Sequence, residues 1–493
     1  MASQREAALG TFWGTVERAT TQGISFIVVL LLARLLGPSN YGLVTLAATI
    51  ALLGQTLLGE TFSQALIQTK TLEPQHNDSI FWLLFVAGVA STGLVLIGAD
   101  WLAALFGEAA LGAILRALSP LLLLTALQAV PTALFKRELN FRALAAASAG
   151  GTVLGGVVGV GLAFAGFGPW SLVANLLVQN TVVTAGIWRQ SPFRPSLSYS
   201  YRHLRELWAY GQYTFLLRIA AFTANQSPRL LVGYLFGPAA LGVFGLGLRI
   251  CDVMLQLLVL PAANVTIPVI AKVRHDPKRL ERAILSATQL TGLITVPAFV
   301  GLALIAPIGV PLAFGQQWTQ SVLIIQGISI AGVVGASGLL YLSILGGLGR
   351  PDLNLSYTLV SALLSLTLLF TAPWGITAAT FAYLARAYIM APILPLIVAR
   401  LTGISGGAQF RIYLPILSAA GIMALCIEGL MATLNGAVTP LSLVTISCLA
   451  GAASYGLALF IFARPTLLLG VSLLGHLRPK SRTFPGEVDA GSP

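Results

Sequence analysis

Arginines inside apolar runs are the residues of this chain best placed to do chemistry. Of the 28 Lys and Arg residues, seven fall within long apolar stretches: Arg18, Arg34, Arg116, Arg218, Arg229, Arg249 and Arg386. A guanidinium stays charged at any physiological pH, and its planar fork matches a phosphate in two hydrogen bonds. Charge within a bilayer is costly and as a rule faces a cavity, an acid or a ligand. Arg34 and Arg116 lie near helix ends and can snorkel. Arg218, Arg249 and Arg386 are deeper, about 15 Å from a helix end at 1.5 Å per residue, and Arg18 is about 9 Å deep. These four, Arg18, Arg218, Arg249 and Arg386, are the candidate ligands for an anionic head group. Acids are fewer. Glu60 lies at the depth of Arg18, and Asp252 follows Arg249 by three residues on the same helix face. Both are candidates for charge balance or ion coupling.

The elements that must position these residues are membrane helices. The 493 residues are 56% hydrophobic and only 9% charged, with a mean hydropathy of +0.87. Soluble domains carry about 25% charge. One crossing takes about 20 apolar residues. Polar and Pro/Gly breaks divide the chain into fourteen spans: 12–36, 42–67, 79–105, 112–135, 143–165, 168–188, 207–236, 239–270, 281–306, 319–346, 353–372, 375–399, 411–431 and 441–463. The first run contains Glu17 and Arg18 and reads as a span rather than a signal peptide.

Loop charge supports that division. With both termini cytoplasmic, 21 of the 28 Lys and Arg fall in cytoplasmic segments, while alternate loops such as "GPSN" and "FGPAA" hold none. Basic cytoplasmic loops set the orientation of membrane proteins. The net charge of +12 is thereby explained by topology, and a nucleic-acid partner is not expected.

A repeat is also visible. "RLLGPSNYGL" contains Leu35, Gly37, Pro38 and Gly42, and "GYLFGPAALGV" contains Leu235, Gly237, Pro238 and Gly242, at a constant offset of 200 residues. Both phrases fall in tight turns between apolar runs. Six spans per unit keep both copies in the same orientation, a parallel repeat. The fold expected is therefore an all-α integral membrane protein of about fourteen helices, with two six-helix lobes and two C-terminal helices. Its parts are a lobe at 1–190, a cytoplasmic linker with an interfacial helix at 191–206, a second lobe at 207–400, helices 13 and 14 at 401–465, and a cytoplasmic tail at 466–493.

Gly151, Gly155 and Gly159 form a small-residue stripe suited to close helix packing. Pro261, Pro268, Pro392 and Pro395 mark kinks. No G-x-x-x-x-G-K-[ST] is present, so no built-in ATPase is expected. The four histidines form no catalytic or metal constellation, and no metal or cofactor is implied. Short outer loops argue against a polymerase or ligase with periplasmic catalytic residues.

Several stretches resemble a known family: "ARLLGPSNYGLVTLA", "FSQALIQTKTLEPQHNDSIFWL", "FKRELNFRALA", "AGFGPWSLVANLLVQ" and "LRELWAYG". They look like the polysaccharide transporters, or oligosaccharide flippases, of the multidrug/oligosaccharidyl-lipid/polysaccharide exporter superfamily. The resemblance is to the lipopolysaccharide and exopolysaccharide branch and lies mainly in the first half. It implies a non-enzymatic transporter of the bacterial inner membrane. The implied activity is flipping of undecaprenyl-diphosphate-linked oligosaccharide by alternating access around a cationic cavity. It also implies a lipid-linked oligosaccharide and membrane lipids as partners, with a polysaccharide polymerase and glycosyltransferases nearby. The alternative within the superfamily is an ion-coupled drug or small-solute antiporter, whose cavity would be less basic and more aromatic or acidic.

Overall fold

The computed structural model describes residues 2–68, 73–434 and 436–462; the side chains of 2–20, 60–65, 67–68 and 201–214 lie outside that description. All regular structure among the described residues is helical. The first half contains α1 (Ala2–Gln68), α2 (Pro74–Leu105), α3 (Ala109–Leu118), α4 (Pro120–Arg137), α5 (Phe141–Phe164) and α6 (Trp170–Gln190). The second contains α7 (Tyr201–Leu258), α8 (Leu260–Val273), α9 (Pro277–Phe314), α10 (Ser321–Gly347), α11 (Pro351–Ser365), α12 (Gly375–Met390) and α13 (Ile393–Thr402). Then follow α14 (Gly406–Arg411), α15 (Tyr413–Leu434) and α16 (Pro440–Phe462).

Eleven helical segments among the described residues are long and apolar enough to cross a membrane, against the fourteen spans expected. The difference has a physical cause. Thr21–Gly59, Phe215–Leu258 and Pro351–Thr402 run for 39, 44 and 52 residues, about twice the length one crossing needs. Their turns are so tight that helix continues almost to the bend on both sides. Gly37 (φ 74°, ψ 171°) breaks α1, and Gly237 (φ 81°, ψ −179°) breaks α7. Gly375 (φ 78°, ψ −174°) separates α12 from the 3₁₀ turn Leu366–Trp374. This region of backbone space is essentially open to glycine alone. In the first two turns a proline follows the glycine, where it serves as the first residue of the next helix.

The two Gly-Pro turns meet. A Cβ on Gly42 would stand 1.8 Å from the carbonyl oxygen of Pro238, and a Cβ on Gly242 would stand 2.0 Å from that of Pro38. Each glycine thus receives the other turn's backbone. The largest buried apolar cluster surrounds this contact and draws on both halves, with Leu32, Leu46, Leu115, Leu241, Phe244 and Trp318 all fully buried. The 3₁₀ turn Gln316–Trp318 reinforces the same end. Trp318 Nε1 donates to Ala33 O at 3.0 Å and Gln317 Nε2 to Arg34 O at 2.7 Å. Arg34, in return, donates to Leu312 O and Ala313 O at 3.3 and 3.4 Å. Two helix C-termini, whose last carbonyls have no partner of their own, are therefore capped by each other's side chains. Arg116 forms an ion pair with Asp100.

Three prolines within the helices follow one pattern. Proline has no N–H, so the carbonyl four residues earlier loses its donor, which is costly in lipid. Pro131 frees Leu127 O, and Trp188 Nε1 donates to it at 3.2 Å. Pro297 frees Leu293 O, which accepts from the Tyr455 hydroxyl at 2.9 Å. Pro307 frees Ala303 O, which accepts from Gln326 Nε2 at 3.0 Å. Each kink is thereby tied to a neighbouring helix. Pro261 and Pro392 instead stand where helices begin anew: α8 starts at Leu260, and α13 follows the break at Pro392.

The glycine stripe of α5 packs on α6. Cβ atoms at Gly151 and Gly155 would lie 2.7 Å from the carbonyls of Gln179 and Asn175, and one at Gly159 would lie 2.7 Å from Asn175 Cβ. Residues 191–200 carry no helix, and helical backbone begins at Tyr201 and runs on into α7. This strap is pinned to α2. The buried Asp78 carboxylate accepts from Ser196 N at 3.1 Å, from the Ser196 hydroxyl and from the Ser198 hydroxyl at 2.7 Å. Ser79 Oγ accepts from Ser200 N, and Trp82 Nε1 donates to Ser196 O.

A polar cavity shared by both halves

Behind the glycine contact the halves diverge around three connected cavities. The central one, of about 440 Å³, is lined by Gln55 of α1, Asn180 of α6 and Arg249 of α7, among others. It shares Gln226, Arg229, Asp252 and Gln256 with a cavity of about 530 Å³ inside the second half. It shares Leu52, Gln55 and Asn180 with a cavity of about 470 Å³ inside the first. A single polar path therefore runs from one half to the other.

Arg249 reaches across the interface from the second arm of α7. Its Nη2 donates to Ser25 Oγ of α1 at 2.8 Å, its one hydrogen bond among the described residues. The other guanidinium N–H groups remain for a ligand. Spacing alone suggests that Asp252 neutralises Arg249 on the same helix face. The structure differs: the Asp252 carboxylate takes Arg229 at 2.6 Å, and Arg229 also donates to Gln226 Oε1 at 2.8 Å. The break at Gly237 explains this. It folds the two arms of α7 back, so Arg229 on the first arm faces Asp252 on the second. Among the described residues, Arg249 has no carboxylate partner.

Arg386 of α12 lines the second-half cavity. All three of its hydrogen bonds run from Nη1: to Ser365 Oγ at 2.6 Å, Ala224 O at 3.0 Å and Ser361 Oγ at 3.4 Å. The Ala224 carbonyl is free because Pro228 stands four residues later in α7. The guanidinium carbon lies 5.1 Å from the Tyr383 ring centroid, a cation–π distance. Nε is buried with no hydrogen-bond partner among the described residues.

Of the residues singled out from sequence, the cavities bring together Arg249, Asp252 and Arg386. Arg218 is half-buried on α7 and lines none of the three. The side chains of Arg18 and Glu60 lie outside the described residues. Arg229 joins the site as the partner of Asp252. The polar residues of the first half, Gln55, Gln128, Thr132, Ser148 and Asn180, were not foreseen. Their signal is present in sequence: amides and hydroxyls recur at helical spacing within apolar runs, as Gln128 and Thr132 do at i, i+4.

Among the described residues, the cavities offer three guanidiniums and the Lys136 ammonium against one carboxylate, set in a low-dielectric bundle where charge pairing is strong. Such an arrangement suits an anion with several oxygens.

Comparison with known proteins agrees with this picture. The family described as polysaccharide biosynthesis protein matches residues 31–323. The succinoglycan biosynthesis transport protein ExoT of Rhizobium meliloti is 30% identical over 313 residues, 63% of either chain, so the match spans less than two thirds of that relative. The lipopolysaccharide biosynthesis protein WzxC of Escherichia coli is 22% identical over 368 residues, 74% of either chain. Among solved structures, the lipid II flippase MurJ in an inward closed conformation superposes with a TM-score of 0.75 at 14% identity, covering 93% of this chain and 98% of that one. An inward-facing multidrug transporter of the MATE family superposes at 0.62 with 17% identity, covering 83% and 99%. These likenesses are to the fold.

Proposed function

The chain belongs to the polysaccharide biosynthesis protein family, and on that premise we propose that it flips undecaprenyl-diphosphate-linked oligosaccharide across the bacterial inner membrane. The carrying observation is the connected polar cavity, in which Arg229, Arg249 and Arg386 outnumber Asp252. A diphosphate needs several cationic donors, and Arg249 and Arg386 have N–H groups to spare. The lipid tail travels in the bilayer while the head group crosses. No covalent step is required, and the protein acts as a transporter rather than an enzyme.

In this reading each of the three long segments crosses twice, which brings the eleven segments to fourteen crossings. α1–α6 and α7–α13 are two six-helix lobes related by a parallel repeat. The reciprocal contact of Gly42 and Gly242 supports that symmetry. Both termini are cytoplasmic, the Gly-Pro turns are periplasmic, and the structure is closed on the periplasmic side. Alternating access then separates the two turns and closes the cavity towards the cytoplasm. Asp252 is the described candidate for ion coupling, with Glu60 as the second. Polymerase and glycosyltransferase partners follow from a repeat unit that is built on one side and joined on the other. An antiporter of cationic drugs would need the opposite balance, with acids in excess.

The test is a leaflet-resolved assay of lipid-linked oligosaccharide in a deletion strain complemented with wild type, Arg249→Ala or Arg386→Ala at matched membrane levels. The reading requires accumulation in the inner leaflet for the deletion and for the variants. An unchanged distribution in the deletion strain rules it out.

A further inference from the structure

The two lobes have different cavities, and the difference is chemical. The second lobe's cavity is charged, with Arg229, Asp252 and Arg386 among its lining. The first lobe's cavity is lined by neutral amides and hydroxyls: Gln55 of α1, Gln128 and Thr132 of α4, Ser148 of α5 and Asn180 of α6. Its one charged lining residue among the described residues is Lys136, at the end of α4.

These groups are not there to hold the helices together. The side chains of Gln55, Gln128, Thr132 and Ser148 make no hydrogen bond among the described residues, and Asn180 uses only its Nδ2, to Leu176 O at 2.9 Å. In a helix bundle within lipid, polar groups without partners are costly. Here they converge from four helices on one space of about 470 Å³, within the range of small-molecule sites. An amide offers two donors and two acceptors, and a hydroxyl offers one donor and two acceptors. A wall of such groups matches a ligand that is itself uncharged and rich in alternating donors and acceptors. To a phosphate it offers, among the described residues, only Lys136 at the end of α4 and no guanidinium.

We infer that the first-lobe cavity is the saccharide subsite of the substrate and takes neutral hexose units, while the arginines of the central and second-lobe cavities hold the diphosphate. The inference rests on the flippase reading above. The connection between the cavities supplies the geometry: Gln55 and Asn180 line both the first-lobe cavity and the central one that contains Arg249. A sugar bonded directly to a diphosphate held at Arg249 therefore enters the first lobe past those two amides. The substrate lies across the two lobes, sugar in one and diphosphate in the other.

The test uses the purified full chain in lipid nanodiscs and two probes, bare undecaprenyl diphosphate and undecaprenyl diphosphate carrying one glucose or galactose. Wild type should bind a sugar-bearing lipid about tenfold more tightly than the bare one, the worth of one or two net hydrogen bonds. The double variant Gln128→Leu/Ser148→Ala, at residues that line the first-lobe cavity and not the central one, should lose that preference and keep wild-type affinity for the bare lipid, which also shows that it is folded. Arg249→Ala should weaken both lipids together. Retained preference in the double variant overturns the inference, and so does a wild type that prefers neither sugar or a double variant that loses both lipids. A wild type that binds none of the probes removes the flippase reading itself.

Discussion

Pro228 and Arg386 meet at a single atom, the carbonyl oxygen of Ala224. Pro228 removes that oxygen's helical donor, and Arg386 Nη1 replaces it from α12 at 3.0 Å. The residue proposed to contact the substrate's anion is thus also a brace between two helices of the second half of the chain. The same economy recurs at Pro131 with Trp188, Pro297 with Tyr455 and Pro307 with Gln326. Intramembrane prolines in this fold do not merely bend helices. At these four positions the proline creates an acceptor that a partner helix satisfies.

This relationship predicts a thermodynamic coupling. Arg386→Ala should destabilise the detergent-solubilised protein by about 1–3 kcal/mol through the orphaned carbonyl. In a Pro228→Ala background the restored N–H takes that carbonyl, and the same substitution should cost less. A thermal-unfolding double-mutant cycle reads the difference, expected at roughly 1 kcal/mol. Additive effects would mean that the carbonyl is not shared.

Arg249 and Arg229 should behave differently on removal. Arg249 has no carboxylate partner among the described residues, so Arg249→Ala should abolish flipping with little change in stability. Arg249→Lys should restore only part, because a point charge does not reproduce the fork. Arg229→Ala leaves Asp252 without its partner and should lower stability, and the swap Arg229→Asp/Asp252→Arg should recover folding. Parallel measurements of expression, melting temperature and leaflet distribution separate the two roles.

Asp252→Asn tests ion coupling. The change removes a negative charge from the cavity while preserving shape. If Asp252 carries the coupling ion, flipping in proteoliposomes should become insensitive to an imposed proton or sodium gradient. Unaltered gradient dependence would move the role to Glu60.

Gly42→Ala places a methyl where the Pro238 carbonyl now sits, 1.8 Å from the new atom. The contact between the two turns must part to admit it. In a background with Cys251, Cys426 and Cys448 replaced by Ala, a cysteine at the fully buried Leu46 should become several-fold more reactive towards an impermeant maleimide added outside. Unchanged labelling would show that the turns absorb the methyl locally.

The strap at 191–200 offers a simpler readout. Asp78→Ala removes the acceptor of three hydrogen bonds from Ser196 and Ser198. Trypsin applied to inside-out vesicles should then cleave at Arg194 faster than in wild type. Equal rates would mean that Ser79 and Trp82 suffice to hold the strap.

How far this architecture could be read in advance depended on the range of the interactions. Helices and turns are local, and apolar runs punctuated by Gly37-Pro38 and Gly237-Pro238 marked them correctly. Eleven separate apolar segments among the described residues stand where fourteen spans were expected, because a turn of one glycine leaves no loop to divide two helices. The Arg229–Asp252 pair was misassigned because spacing along one helix says nothing of what a reversal brings back against it. The first-lobe amides escaped notice for another reason. Attention to charge overlooks neutral polar groups, although Gln55 and Gln128 are equally out of place in a hydrocarbon setting.

The mutual contact of Gly42 and Gly242 has a consequence in time. The second turn follows the first by 200 residues, which is about 10–40 s of synthesis. Until it arrives, the face of Gly42 has no backbone to receive, and the carbonyl of Pro38 has no close neighbour. The nascent first lobe must therefore wait in the membrane with its seam open. The seam closes only when the second turn is inserted, so the two turns can meet while about half of the 493 residues are still to be made.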